Sequence, residues 1–173
     1  GRMFEDPWTV EFGLRYDYRS QKADPSQTRK PNLPPPGAKL ENDYNVLTAS
    51  LGAIYQVNES FALAGNVNRG FRAPSLFELY ANGIHGGVAA IQIGRSDLDE
   101  ETSLGGDLQA RWRSDRLDWT ATAYVTSFSD YIFLANTGLP GPPPTFIADQ
   151  EDALLYGGDL SVTHRTTEWL TLE

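Results

Sequence analysis

The chain has 173 residues, about one domain's worth, and its 40% hydrophobic and 21% charged residues make it too apolar for wholesale disorder. Acidic residues outnumber basic ones 23 to 14, and the formal charge of −9 argues against nucleic acid or an anionic membrane face as a partner. With no cysteine and only 2 histidines, disulfide frameworks and Cys nucleophiles are excluded, and a multi-His metal cage or catalytic array has little material.

Strict apolar/polar alternation, the mark of half-buried strands, recurs along the chain. Over 8–19, Trp8, Val10, Phe12, Leu14, Tyr16 and Tyr18 share one face, opposite Glu11, Arg15, Asp17 and Arg19. A long connection over 20–43 precedes a second strand, 44–57, whose Leu47, Ala49, Leu51, Ala53 and Tyr55 alternate with Thr48, Ser50 and Gly52, with Ile54 out of pattern. The two-residue break Asn58-Glu59 leads into a third strand, 60–72, and a second long connection covers 73–101. Within it, Ser75 with Glu78 three residues on has the form of a capping box, which predicts a helical turn over 75–82 stopped by Asn82-Gly83. Strands over 102–113 and 116–131 flank the short break Ser114-Asp115, a third long connection covers 132–153, and strands over 154–165 and 168–173 complete the pattern.

Short turns therefore alternate with long connections, and three structureless loops of that length are uncommon in a compact soluble domain. Short turns on one rim and long loops on the other are instead expected of an antiparallel up-and-down transmembrane β-barrel. Alternation alone does not decide, because a soluble sandwich puts its apolar face inward and a membrane wall puts it toward lipid. Two further features favour the wall. Trp8, Trp112, Trp119 and Trp169 sit near the short-turn rim and Tyr18, Tyr44, Phe71, Tyr131 and Tyr156 near the long-loop rim, as two interfacial aromatic girdles would. On the apolar faces only Arg69 is charged, and it lies near the loop end. About seven strands leave two unpaired edges, which lipid does not tolerate, so the chain reads as a partial wall of a larger barrel.

Enzyme chemistry finds no support: there is no G-x-S-x-G elbow, H-E-x-x-H helix or phosphate-cradling G-x-x-x-x-G-K. The acidic clusters Asp97, Asp99, Glu100, Glu101 and Asp149, Glu151, Asp152 lack a calcium-loop spacing and read as a solvated rim. Pro34-Pro-Pro-Gly37 and Pro142-Pro-Pro-Thr145 predict extended, polyproline-like stretches in the first and third long loops. No cofactor is expected.

The stretch Asn68-Arg-Gly-Phe-Arg-Ala-Pro-Ser-Leu-Phe-Glu-Leu-Tyr80 resembles the "gFRAPs..EL" block of TonB-dependent outer-membrane receptors. Gly94 with Leu98-Asp-Glu-Glu-Thr-Ser103, Gly13-Leu-Arg-Tyr-Asp17, Ser129-Asp-Tyr-Ile132 and Gly157-Gly-Asp159 are similar to further blocks in the same order, with Arg95, Glu100 and Asp159 standing for the usual Asn, Pro and Glu. The resemblance implies part of a 22-stranded barrel in the outer membrane of a Gram-negative bacterium, importing a scarce nutrient. The expected partners are a small-molecule or metal-chelate substrate, outer-membrane lipid and the TonB system, the last through a plug domain that has no counterpart in these residues. An iron–siderophore complex is the first expectation for the cargo. Zinc or haem uptake in the same family is the alternative, and a small eight-stranded structural outer-membrane protein is the reading from another class. The candidate ligand-binding or gating residues are Arg72, Glu78, Tyr80 and His85, with Arg72 read first as a lumen charge paired with a wall or plug carboxylate and only second as a direct ligand contact. The stretch Tyr80 to Gly94 is similar to a block of the subgroup that includes zinc-uptake receptors, with Val88 and Gln92 in place of Thr and Glu. There His85 is the candidate metal ligand, with Glu78 as a possible oxygen donor, or else a loop histidine with a structural hydrogen bond.

Overall fold

The structure, a computed structural model, describes residues 7–24, 39–85, 87, 89–167 and 170–172. It is a single sheet built almost entirely of antiparallel hairpins. The long strands are β1 (Trp8–Lys22), β2 (Glu41–Gln56), β3 (Phe61–Arg72), β6 (Glu101–Arg113), β7 (Leu117–Asn136) and β8 (Thr145–Thr167), each paired with the next along the chain. A short β9 (Leu170–Leu172) continues the order beside β8. Between β3 and β6 lie a one-turn helix α1 (Leu76–Tyr80) and a small hairpin, β4 (Asn82–His85) and β5 (Ala90–Ile93). Among the described residues the sheet is open: β1 pairs with β2 alone.

Two hairpin turns at one rim are held by local side chains. Asn58 Oδ1 accepts from the Ser60 and Phe61 amides at 2.9 Å each, and Ser114 Oγ caps the next turn by accepting from Leu117 N at 3.1 Å. At that rim Trp8 stacks on its cross-strand partner Tyr55, and Phe61 touches both Trp112 and Trp119. The expected girdle at this end is therefore formed by Trp8, Trp112 and Trp119, while Trp169 lies outside the described residues.

The register aligns the predicted apolar faces across neighbours: Phe12 opposite Leu51, Leu51 opposite Val67, Val67 opposite Gly106 and Gly106 opposite Val125. This face is bare, with Phe12 86% exposed, whereas the part of the sheet that is covered belongs to the other, polar pleat, where Gln21, Asn42, Tyr44 and Val46 are buried. A soluble sandwich has the opposite arrangement, since its apolar side chains supply the core. A bare apolar face backed by a polar, partly covered one is the arrangement of a wall between lipid and a lumen.

Several expectations are corrected. The connection over 132–153 is mostly strand: β7 and β8 stay paired up to Asn136 and Phe146, leaving residues 137–144 as the tip. That pairing needs a tight return, so Pro140–Pro143 bend where an extended run was expected; the Pro142–Pro143 bond is cis. Pro34 to Gly37 fall outside the described residues. The connection over 73–101 is structured by α1, β4 and β5, and β5 pairs in parallel with the start of β8, Ile91 opposite Thr145, where only antiparallel sequence neighbours were expected. Helix α1 ends at Tyr80 with Ala81 as an extended C-cap, so Asn82-Gly83 begin β4 and do not stop the helix. Tyr44 leaves the girdle: it sits opposite Arg19, on the pleat away from Tyr16 and Tyr18, and is 4% exposed beneath the 73–100 segment.

Candidate functional site

The candidate residues fall on the segment joining β3 to β6, which folds back as a strap across the polar face of the sheet. Its first turn is made by sequence-local chemistry. Ser75 Oγ accepts from Glu78 N at 3.2 Å, and the Glu78 carboxylate accepts from Ser75 N at 2.7 Å and from the Ser75 hydroxyl at 2.9 Å, completing the capping box. Proline at 74 precedes the cap and is fully buried.

Arg72, the last residue of β3, ties this turn to the wall. One guanidinium nitrogen donates to both Glu78 oxygens at 3.0 and 2.9 Å, and the other donates to Glu101 Oε2 at 3.0 Å. Glu101 is opposite Arg72 in the β3–β6 register, is itself buried, and accepts from the Ile132 amide at 3.1 Å. Burial alone would raise the Glu78 carboxyl, but the Ser75 amide and hydroxyl and the Arg72 guanidinium outweigh it and hold it below the usual carboxylate range.

The strap then packs inward. Leu79, Tyr80 and Leu98 form a small apolar core with Ile132 and Ala148, the inward-facing residues of the outer β7–β8 hairpin. Polar ties flank it: Gln21 Nε2 donates to Pro74 O at 2.9 Å, Asn42 Nδ2 to Tyr80 Oη at 2.9 Å, and Tyr44 Oη to Leu98 O at 3.3 Å. On the far side Gln150 exchanges two bonds with the Asp99 backbone at 3.0 Å each. Arg95 bridges Asp97 and Asp149, and its guanidinium holds the Asp97 carboxyl below the ordinary carboxylate range.

Of the four candidates, Arg72 and Glu78 are brought into direct contact and Tyr80 is buried two residues on, bonded to Asn42. His85 ends β4 with its backbone opposite Ala90. Among the described residues no three His, Cys, Asp or Glu side chains gather as a metal site. Part of the acidic rim is not free in solvent as expected, because Glu101 is buried under Arg72 while Asp97 and Asp149 share Arg95. Glu101, Asn42 and Gln150 escaped sequence reasoning as strap partners, since their contacts lie 29 to 51 positions away along the chain. Only the strand register, which puts Arg72 opposite Glu101, could have signalled one of them.

Comparison with known proteins gives a consistent picture. The family model described as TonB dependent receptor-like, beta-barrel matches residues 3–172. Among solved structures, the fold matches that titled copper transporter OprC with a TM-score of 0.77 at 22% identity, over 95% of this chain and 25% of that one. It matches the hemophore receptor HasR of Serratia marcescens with a TM-score of 0.68 at 18% identity, over 92% of this chain and 29% of that one. The siderophore receptor PirA of Pseudomonas aeruginosa matches with a TM-score of 0.61 at 20% identity, over 76% and 25% of the two chains. At these identities the likeness is one of fold, and the chain spans about a quarter of the length of the structures it matches.

Proposed function

This chain belongs to the TonB-dependent receptor-like β-barrel family, and on that premise we propose that it forms part of the wall and outer rim of an outer-membrane receptor that imports an iron–siderophore complex. The observation that carries the membrane part of this reading is the inverted sheet: apolar side chains from Phe12 to Leu160 stand bare on one pleat, while the strap covers the polar one. The family consists of receptors that act as transporters, which makes a binding and passage role the natural one for the polar lumen face. Energy coupling by TonB, acting through a plug domain, belongs to other parts of such a receptor.

For the cargo, the siderophore reading is supported by matched folds that are siderophore receptors, while others are copper and hemophore receptors. Arg72, Glu78 and Tyr80 spend their polar groups on fastening the strap to the wall, so in this reading they shape the lumen and do not hold the ligand. Ligand contact then falls to the outer β7–β8 hairpin and the β4–β5 hairpin, where His85 keeps its candidacy as a metal donor in the zinc reading. The test is uptake by the full-length receptor in a Gram-negative host lacking its own iron, haem and zinc receptors, supplied separately with ferric siderophores, haem and zinc. Growth on a ferric siderophore with His85→Ala unimpaired is expected. Growth on zinc alone, lost with His85→Ala, overturns the siderophore assignment.

A further inference from the structure

The outer half of the β7–β8 hairpin is joined to the wall through a broken register. Pairing runs regularly to Phe128 opposite Ala153 and resumes at Tyr131 opposite Glu151, so β7 carries an extra residue. Asp130 takes it up in the left-handed region, with φ 57°. Such a bulge bends the strand, increases its twist and leaves backbone groups without ladder partners. Side chains bond the backbone at and just beyond it: Asp130 O accepts from Gln150 Nε2 at 2.9 Å, and Ile132 N, one residue past the point where pairing resumes, donates to Glu101 Oε2.

Beyond the bulge the hairpin forms an outer part of the same sheet. β8 there carries β5 and β4 on its free edge, giving the local order β7-β8-β5-β4. This outer part meets the rest of the strap through Ile132 and Ala148 against Leu79 and Leu98. Three polar pins fasten it near the bulge, Gln150 on the Asp99 backbone, Glu101 on the Ile132 amide and Arg95 on the Asp149 carboxylate. The second pin is itself held by Arg72, whose guanidinium balances the buried Glu101 carboxylate. A buried carboxylate without its cation tends to take up a proton or draw in water, and either change weakens its hold on an amide.

We propose that the Phe128–Tyr131 bulge is a hinge for the outer β7–β8 hairpin with β4 and β5, and that Arg72 is the positioning residue that holds it against the strap through Glu101. The held position is the one observed; release lets the outer part of the sheet swing away from β1 and β2. The inference rests on the geometry of the bulge and its pins and stands whichever cargo the receptor carries.

The experiment measures a distance across the outer rim. Nitroxide labels go on Leu139→Cys, at the exposed tip of the outer hairpin, and Ser20→Cys, at the outer end of β1, in the full-length receptor in lipid nanodiscs. The unsubstituted residues 72 and 101 should give one narrow distance distribution. Arg72→Ala and Glu101→Ala should each add a second population displaced from the first. Tyr44→Phe, which removes a strap bond on the β2 side away from the bulge, should leave the distribution narrow. If either alanine variant fails to fold, Arg72→Lys and Glu101→Gln make the same comparison, with a smaller second population expected. A narrow distribution in the Arg72 and Glu101 variants overturns the hinge. So does equal broadening in Tyr44→Phe, which would show general loosening of the strap.

Discussion

Gly94 shows how a single missing side chain lets the strap close. A Cβ at this position would lie 2.6 Å from Leu79 C and Tyr80 N and 2.7 Å from Glu78 O, all backbone atoms of α1 that cannot step aside. The close approach allows Gly94 N to donate to Ala81 O at 2.7 Å and Arg95 N to Glu78 O at 2.9 Å, so the returning limb is bonded to the end of the helix. Gly94→Ala should therefore destabilise the folded receptor by about 1–3 kcal/mol, the usual range for overpacking. Gly106→Ala is the matched control, because its Cβ would meet Asn66 O at an ordinary 3.5 Å. That variant should stay within about 0.5 kcal/mol of the parent. Denaturant unfolding of the receptor in lipid vesicles checks both, and equal stability of the two variants would refute the packing argument. Arg95 illustrates the converse, a departure from the family pattern that has work to do, since its guanidinium joins Asp97 of the strap to Asp149 of β8.

At the scale of the strand, the two pleats differ in chemistry, one apolar and bare, the other polar and partly covered. From Trp8 to Tyr18 is a rise of roughly 33 Å along the strand, which a barrel tilt brings close to the ~25 Å height of an apolar band. Leu108, 72% exposed on β6, stands well inside that band, and Trp112 marks its edge. Leu108→Arg should then cost about 2–4 kcal/mol and Trp112→Arg about 0–1 kcal/mol from the charge itself, because the penalty falls with approach to the interface. Unfolding measured in vesicles and again in high-charge detergent separates the two terms. Equal costs at both positions would mean that the apolar face does not meet lipid. Arg69, a charged residue on this face, is consistent with the same gradient: it lies toward the loop end and donates to Leu47 O at 3.2 Å.

For the whole molecule, the open sheet sets the expectation. β1 offers one edge that pairs with nothing among the described residues, and an unpaired edge in hydrocarbon leaves amides and carbonyls without partners. Residues 1–173 expressed alone should need detergent and should conduct no ions when added to a planar bilayer. A monodisperse, detergent-free monomer with a cooperative melt would remove the membrane reading, and a stable conducting pore would show that these strands close on themselves. The strap adds stiffness that the sheet by itself lacks, because it links β1 and β2 to the outer end of β7 and β8 without following the ladder.

Alternation was sufficient to place the long strands and assign their faces, since a period of two is a local property that Trp8 to Tyr18 or Leu104 to Trp112 carry by themselves. The capping box at Ser75 and Glu78 was legible for the same reason, its donors and acceptors lying within four residues. The outer half of β7–β8 was not, because Asp149 to Asp152 read as a polar rim until pairing with Phe133 and Tyr131 extends the ladder beyond the apolar band. Nor was the strap's attachment: Glu101 looks like one member of an acidic run, and only strand register brings it to Arg72 and to the Ile132 amide just beyond a bulge. Periodicity determined which side chains form the bare apolar pleat and which the polar one. Contacts between residues distant in the chain decided what covers the polar face, because no local pattern encodes the partner of a buried charge.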